Sequence, residues 1–217
     1  MRNRWFSSSA GRLWLCAGGA AVAFLIFFRI TRELIEGDVS AFDRAVLLAI
    51  AGVRTPPLTV VAVDVTALGS ITLVTLFSAL TLGVLLLMRD RKGALQLLFA
   101  SAGAGALTWA TKSFIERARP DEVRQLIEVT GYSYPSGHSV ATASLYLTIA
   151  IIAGRYVRHS HARIALFLAV SLILLIVGAS RVYLGVHYAT DVVSGLALGV
   201  AWALGLAGLF AHFGQRG

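Results

Sequence analysis

The stretch ARIALFLAVSLILLIVGASRVYLGVHYATDVVSGLALGVAWALGLAGLFA, residues 162–211, holds two apolar runs, about 164–180 and 190–211, separated by a short polar connection. Each run approaches the ~20 residues a helix needs to cross hydrocarbon. A connection this short makes the two helices an antiparallel pair. The connection carries Arg181, His187 and Asp191. Charges close to membrane helices are costly and usually functional, at roughly 2.5–3.5 kcal/mol for a charge at mid-helix.

The rest of the chain follows the same pattern. Of 217 residues, 57% are hydrophobic and 14% charged, with a mean hydropathy of +0.77, which excludes an ordinary soluble domain. Further apolar runs at about 13–30, 68–88, 94–111 and 138–154 bring the expected spans to six, with snorkelling arginines and local thinning covering the shorter ones. The first run follows Arg2, Arg4 and Arg12 without a convincing small-x-small cleavage site, so it is expected to be an uncleaved anchor. The single cysteine, Cys16, excludes an internal disulfide and is read as a packing residue.

Net charge is +8, and its distribution assigns it. With the N-terminus inside, the inner segments hold Arg2, Arg4, Arg12, Arg89, Arg91, Lys92, Arg155, Arg158, Arg163 and Arg216 against one acid, Asp90. The outer segments hold the other nine bases and ten acids, which nearly cancel. That is a topology signal, with both termini inside, and not a nucleic-acid footprint. Only Lys92 and Lys112 are lysines, which together with abundant Ala and Gly fits a GC-rich bacterial coding sequence.

Parity then places the polar motifs. Lys112 ends the third span, His138 begins the fourth, Arg181 ends the fifth, and His187 and Asp191 begin the sixth, so all fall at the outer interface. Between the first two spans, residues 38–53 alternate polar and apolar positions at helical spacing. They predict an amphipathic helix lying at that interface, ended by Pro56 and Pro57. Asp64 is expected as a local cap or interfacial residue. No repeat or linker interrupts residues 1–217, which read as one domain.

Three bases facing one cavity, Lys112, Arg119 and Arg181, predict a phosphate or sulfate group. They lie on the side where positive-inside anchoring predicts no excess. Pro135 and Ser136 are helix-start residues, and Gly137 allows close backbone approach, so the N-terminus of the fourth span can cradle an anion with His138 on its rim. His187 and Asp191, four apart, share a helix face, where a carboxylate on one ring nitrogen frees the other as nucleophile or base. Ser136 is a rival nucleophile that spacing alone does not exclude. Metal ligation by His138, His187 and Asp191 is rejected because three strong bases would oppose a divalent cation. His159, His161 and His212 fall on the inner side and are expected to be solvated or headgroup-facing.

Together the three motifs resemble the type-2 phosphatidic acid phosphatase family, which shares its catalytic core with vanadium haloperoxidases and glucose-6-phosphatases. K-x6-R-P is met by Lys112, Arg119 and Pro120, P-S-G-H by Pro135 to His138, and S-R-x5-H-x3-D by Ser180, Arg181, His187 and Asp191. The resemblance implies an all-α polytopic protein with six spans in the bacterial inner membrane and a site facing the periplasm. It implies a metal-independent, cofactor-free lipid phosphatase in which His187 attacks phosphorus, Asp191 orients it and His138 protonates the leaving oxygen. Lys112, Arg119, Arg181, Ser136 and Gly137 would hold the phosphoryl oxygens. The expected partner is a membrane lipid phosphate or diphosphate, of the undecaprenyl diphosphate, phosphatidate or phosphatidylglycerol phosphate class. A lipid A phosphatase is the alternative, and a non-catalytic lipid-binding or transport protein a more distant one.

Overall fold

A computed structural model describes residues 9–213. Arg2, Arg4 and Arg216, which carry part of the charge asymmetry, lie outside the described residues, as does the side chain of Arg12. The described residues form helices joined by turns and one long loop, without a strand: α1 (Ser9–Glu36), α2 (Ser40–Gly52), α3 (Pro56–Thr66), α4 (Ile71–Leu87), α5 (Arg91–Ile115), α6 (Gly137–Ala153), α7 (Ser160–Tyr183) and α8 (Ala189–Phe213). The all-α expectation holds. Four of these helices are long and apolar enough to cross a membrane, and α3 with α4 gives a fifth if that bent pair is one span.

The surface is that of a membrane protein. Large apolar side chains face outward on α1, α4, α5, α7 and α8, among them Trp14, Phe28, Ile71, Leu87, Trp109, Phe114, Leu175 and Leu209. The interior is conversely rich in small and polar groups, with Gln96, Ser139, Thr142, Ser144, Thr148 and Ser194 fully buried. In lipid the apolar exterior costs nothing, and helices associate through close packing and interhelical hydrogen bonds. Ser144 Oγ donates to the carbonyl of Ala100 at 2.9 Å, and Ser78 and Ser101 meet at 3.1 Å.

The backbones of α6 and α8 approach closely. A Cβ at Gly199 would lie 2.5 Å from the Val140 carbonyl oxygen, and one at Gly195 2.7 Å from that of Ser136. Only glycine permits this approach, and it presses the start of α8 against the start of α6. On its other side α8 packs along α1, where Leu13 and Cys16 lie against Gly208, the packing role expected of Cys16.

Two expectations about the outer segment are corrected. Pro56 and Pro57 do not only close α2; they open α3, where Thr55 caps the helix by accepting from Leu58 N at 3.5 Å. Proline at the first helical positions loses no hydrogen bond, so T-P-P is a start signal as well as a stop. The expected span 68–88 begins at Ile71 after a 3₁₀ turn (Ala67–Gly69), and the axis bends by 46° there. Asp64 is exposed on α3. The expected helix 38–53 is present as α2, held down by buried Leu47, which packs with Val182 and Val192.

Candidate active site

The end of α5, the start of α6, the end of α7 and the start of α8 meet at one end of the bundle. They bring Lys112, Ser136, Gly137, His138, Arg181, His187 and Asp191 together. Arg119 joins them from the irregular loop 116–136, which starts where Glu116 takes the left-handed conformation (φ 51°) and ends α5. Loops of this length in compact folds are usually functional. This one is fastened at several points: Ser133 N donates to Arg117 O at 2.8 Å, Ser133 Oγ to Ala118 O at 2.9 Å, and Leu126 N to Leu184 O at 2.9 Å.

His187 lies in the turn between α7 and α8 and is 2% exposed. Its Nδ1 is 3.4 Å from Asp191 Oδ2, and its Nε2 is 3.4 Å from Arg119 Nη1. A guanidinium has no lone pair to offer, so Nε2 must be the acceptor and Nδ1 carries the proton toward Asp191. The free lone pair of His187 is therefore on Nε2, beside a fixed cation. Burial pulls the imidazole down to about 4, with Asp191 pulling the other way, so the ring is neutral near pH 7.

Asp191 is fully buried and satisfied on both oxygens. Oδ2 accepts from Tyr188 N at 2.9 Å, and Oδ1 from Arg117 Nη1 at 2.6 Å. The charged donor matters because an unpaired carboxylate at this depth would be expensive.

Arg119 donates to three carbonyls, Gly131 and Val186 at 2.9 and 2.8 Å and Thr130 at 3.0 Å. It therefore knits the loop to the turn bearing His187. Burial lowers its pKa, with Asp191 opposing. Lys112 Nζ donates to Tyr132 O. Arg181 is 2% exposed; its Nη1 donates to Thr66 Oγ1 at 2.9 Å, while its buried Nε has no hydrogen-bond partner among the described residues. A buried charged donor left open in this way is suited to an oxyanion.

Ser136 is the N-cap of α6, accepting from Ser139 Oγ at 3.0 Å and Ser139 N at 3.4 Å. Its own N–H donates to Asp191 O at 3.0 Å, locking the P-S-G-H turn to α8. Its oxygen is thus engaged in capping, and no hydrogen bond joins it to a histidine among the described residues. His138 sits one residue into α6, where the charges of Arg181, Arg119 and Lys112 bear on it. The 3₁₀ turn before α4 abuts it, since a Cβ on Gly69 would come 3.0 Å from His138 Cβ. The bend between α3 and α4 thus lets Thr66 reach Arg181 while Gly69 clears His138.

Arg117 and Asp43 were missed from sequence. Arg117 occupies one of the open positions of K-x6-R-P, yet it carries the same signal as its neighbours, a base on the outer side. Asp43 was visible only as one charge of an amphipathic helix, although it shares a face with Leu47.

Fixed cations around a carboxylate-held histidine, at one end of an apolar helical bundle, define a membrane-embedded phosphohydrolase. The model of the PAP2 superfamily matches residues 93–214, and the chain belongs to that family. It is a phosphoric ester hydrolase and a membrane lipid phosphatase. Phosphatidylglycerophosphatase B of Bacillus subtilis (strain 168) is 32% identical over 179 residues, covering 82% of this chain and 87% of that protein. Lipid A 1-phosphatase of Rhizobium johnstonii is 34% identical over 127 residues, 54% of this chain and 48% of that one. Among solved structures, the transmembrane PAP2-type phosphatidylglycerolphosphate phosphatase from Bacillus subtilis superposes with a TM-score of 0.82 at 28% identity, covering 91% and 96% of the two chains.

Proposed function

We propose that the chain is one membrane domain, residues 1–217, that removes phosphate from lipid phosphates or diphosphates through a phosphohistidine on His187. The observation that carries this is the imidazole held by Asp191 at Nδ1, with Nε2 free of a proton and facing the cation cluster. In the proposed reaction Nε2 attacks phosphorus in line, and His138 gives a proton to the departing lipid oxygen. Water, activated by His138, then cleaves the P–N bond. Lys112, Arg119, Arg181, Ser136 and the Gly137 N–H hold the phosphoryl oxygens, where positioning and charge stabilisation supply most of the rate.

The substrate class follows from depth. Motif residues cluster at helix ends, the level at which a lipid phosphate lies while its tails stay in hydrocarbon. Exposed Trp109 and Phe114 flank Lys112 on α5, an aromatic edge suited to the interface. Among the expected candidates, the names of the B. subtilis and Rhizobium relatives support phosphatidylglycerol phosphate and lipid A 1-phosphate, beside undecaprenyl diphosphate and phosphatidate. Phosphate release in detergent micelles tests the reading across these lipids and a water-soluble ester. We expect at least one lipid to exceed the soluble ester in kcat/KM, with activity unchanged by chelator. Equal efficiency on the soluble ester would remove the case for lateral entry, and loss in chelator restored by magnesium would remove the metal-free mechanism.

The proposed topology has six spans, counting α1, the bent α3–α4 pair, α5, α6, α7 and α8, with the site facing the periplasm of a bacterial inner membrane. Support comes from Arg89, Arg91 and Lys92 at one connection and Arg155, Arg158 and Arg163 at another, both at the end of the bundle opposite the site. Reporter fusions within 89–92 and 155–163 should give cytoplasmic signals, and a periplasmic signal from 155–163 would overturn the topology by splitting the motifs across the membrane.

A further inference from the structure

Arg117 lies at the centre of a buried relay that no motif describes. Its Nη1 donates to Asp191 Oδ1 at 2.6 Å and to Thr190 Oγ1 at 2.9 Å, and its Nη2 donates to Asp43 Oδ2 at 2.7 Å. The guanidinium lies 4.1 Å above the Tyr188 ring, and the side chain is 12% exposed. Asp43, fully buried on α2, also accepts from Thr190 N at 3.0 Å and from Thr190 Oγ1. One cation thus sits between two buried carboxylates, one of which holds His187.

We propose that Arg117 and Asp43 are positioning residues for the phosphatase reaction, setting the place and effective charge of the Asp191 carboxylate that orients His187. The inference rests on the assignment of His187 as nucleophile. The two terminal nitrogens of Arg117 each hold a different carboxylate, Asp191 and Asp43, a planar geometry that arginine supplies and lysine does not. The shared charge also has a sign. Asp191 favours protonated His187; Arg117 offsets that influence, and Asp43 in turn offsets Arg117. The other charged or titratable groups facing His187 are Arg119 from the loop, Arg181 from α7 and His138 from α6, with Lys112 of α5 acting on His138. All of these are unchanged when Arg117 or Asp43 is altered.

The test is the pH profile of kcat/KM, whose acid limb reports groups of the free enzyme. It uses purified full-length wild type, Arg117→Gln, Arg117→Lys, Asp43→Asn and His187→Ala with one lipid phosphate. Arg117→Gln should lower kcat by about 10–100-fold, the usual range for groups that orient a reacting ligand, with little change in KM. Its acid limb should move to higher pH, because Asp191 is left uncompensated. Asp43→Asn keeps a carbonyl acceptor for Thr190 and removes one negative charge, so its acid limb should move to lower pH. Arg117→Lys should restore the position of the limb without restoring full kcat. A role confined to folding would not move the two limbs in opposite directions. Wild-type kcat and limbs in Arg117→Gln and Asp43→Asn, or limbs displaced the same way, would overturn the inference. An active His187→Ala would instead overturn the assignment on which it rests.

Discussion

Replacing His187 by alanine is expected to abolish turnover completely. In the proposed mechanism the covalent intermediate forms on His187 alone: Ser136 accepts the capping bonds of α6, and His138, on a different helix, is assigned to proton transfer. The variant should still fold, because the His187 ring makes two polar contacts among the described residues, both at 3.4 Å, and Asp191 retains Arg117 and Tyr188 N. A rapid quench with labelled lipid phosphate should trap acid-labile, base-stable label on the wild type and none on His187→Ala. Label persisting on the variant would move the nucleophile elsewhere.

Replacing His138 by alanine should cost about 10²–10⁴ in rate, the range for loss of a general acid. The loss should depend on the leaving group. A lipid alkoxide needs a proton as the P–O bond breaks, whereas a nitrophenolate leaves without one. The deficit with a nitrophenyl phosphate should therefore be much smaller in the attack step, which burst kinetics would isolate from hydrolysis of the intermediate. An equal deficit with both leaving groups would assign His138 to phosphate binding instead.

What the sequence revealed was mostly local or one-dimensional. Apolar runs located α1 and α5 to α8 because length and hydropathy suffice for membrane helices. The three motifs could be placed at one end because alternation of direction is simple counting. The bend between α3 and α4 was not legible, since a 3₁₀ turn within Ala67–Gly69 leaves no strong breaker in an otherwise apolar stretch. The Pro56–Pro57 pair was read as an ending only, although proline is neutral as to which helix it serves. Arg117 escaped because its meaning depends on Asp43, 74 residues away, a pairing that no local pattern expresses. In the loop 116–136, Arg119 and Ser133 fasten the chain by bonds to backbone atoms, which leave no trace in composition.

The packing of α1 along α8 has a consequence for biosynthesis. Helices emerge into the bilayer in chain order, and α1, the earliest, finds its principal neighbour in α8, the latest of the described helices. Until α8 inserts, Cys16 lacks the Gly208 surface and Gly19 lacks Leu204. The same late helix carries Asp191, so closure of the bundle and completion of the site coincide with the insertion of α8. A nascent chain released before α8 would thus leave an open, inert set of helices, with α1 exposing the unpaired face by which quality control can recognise it.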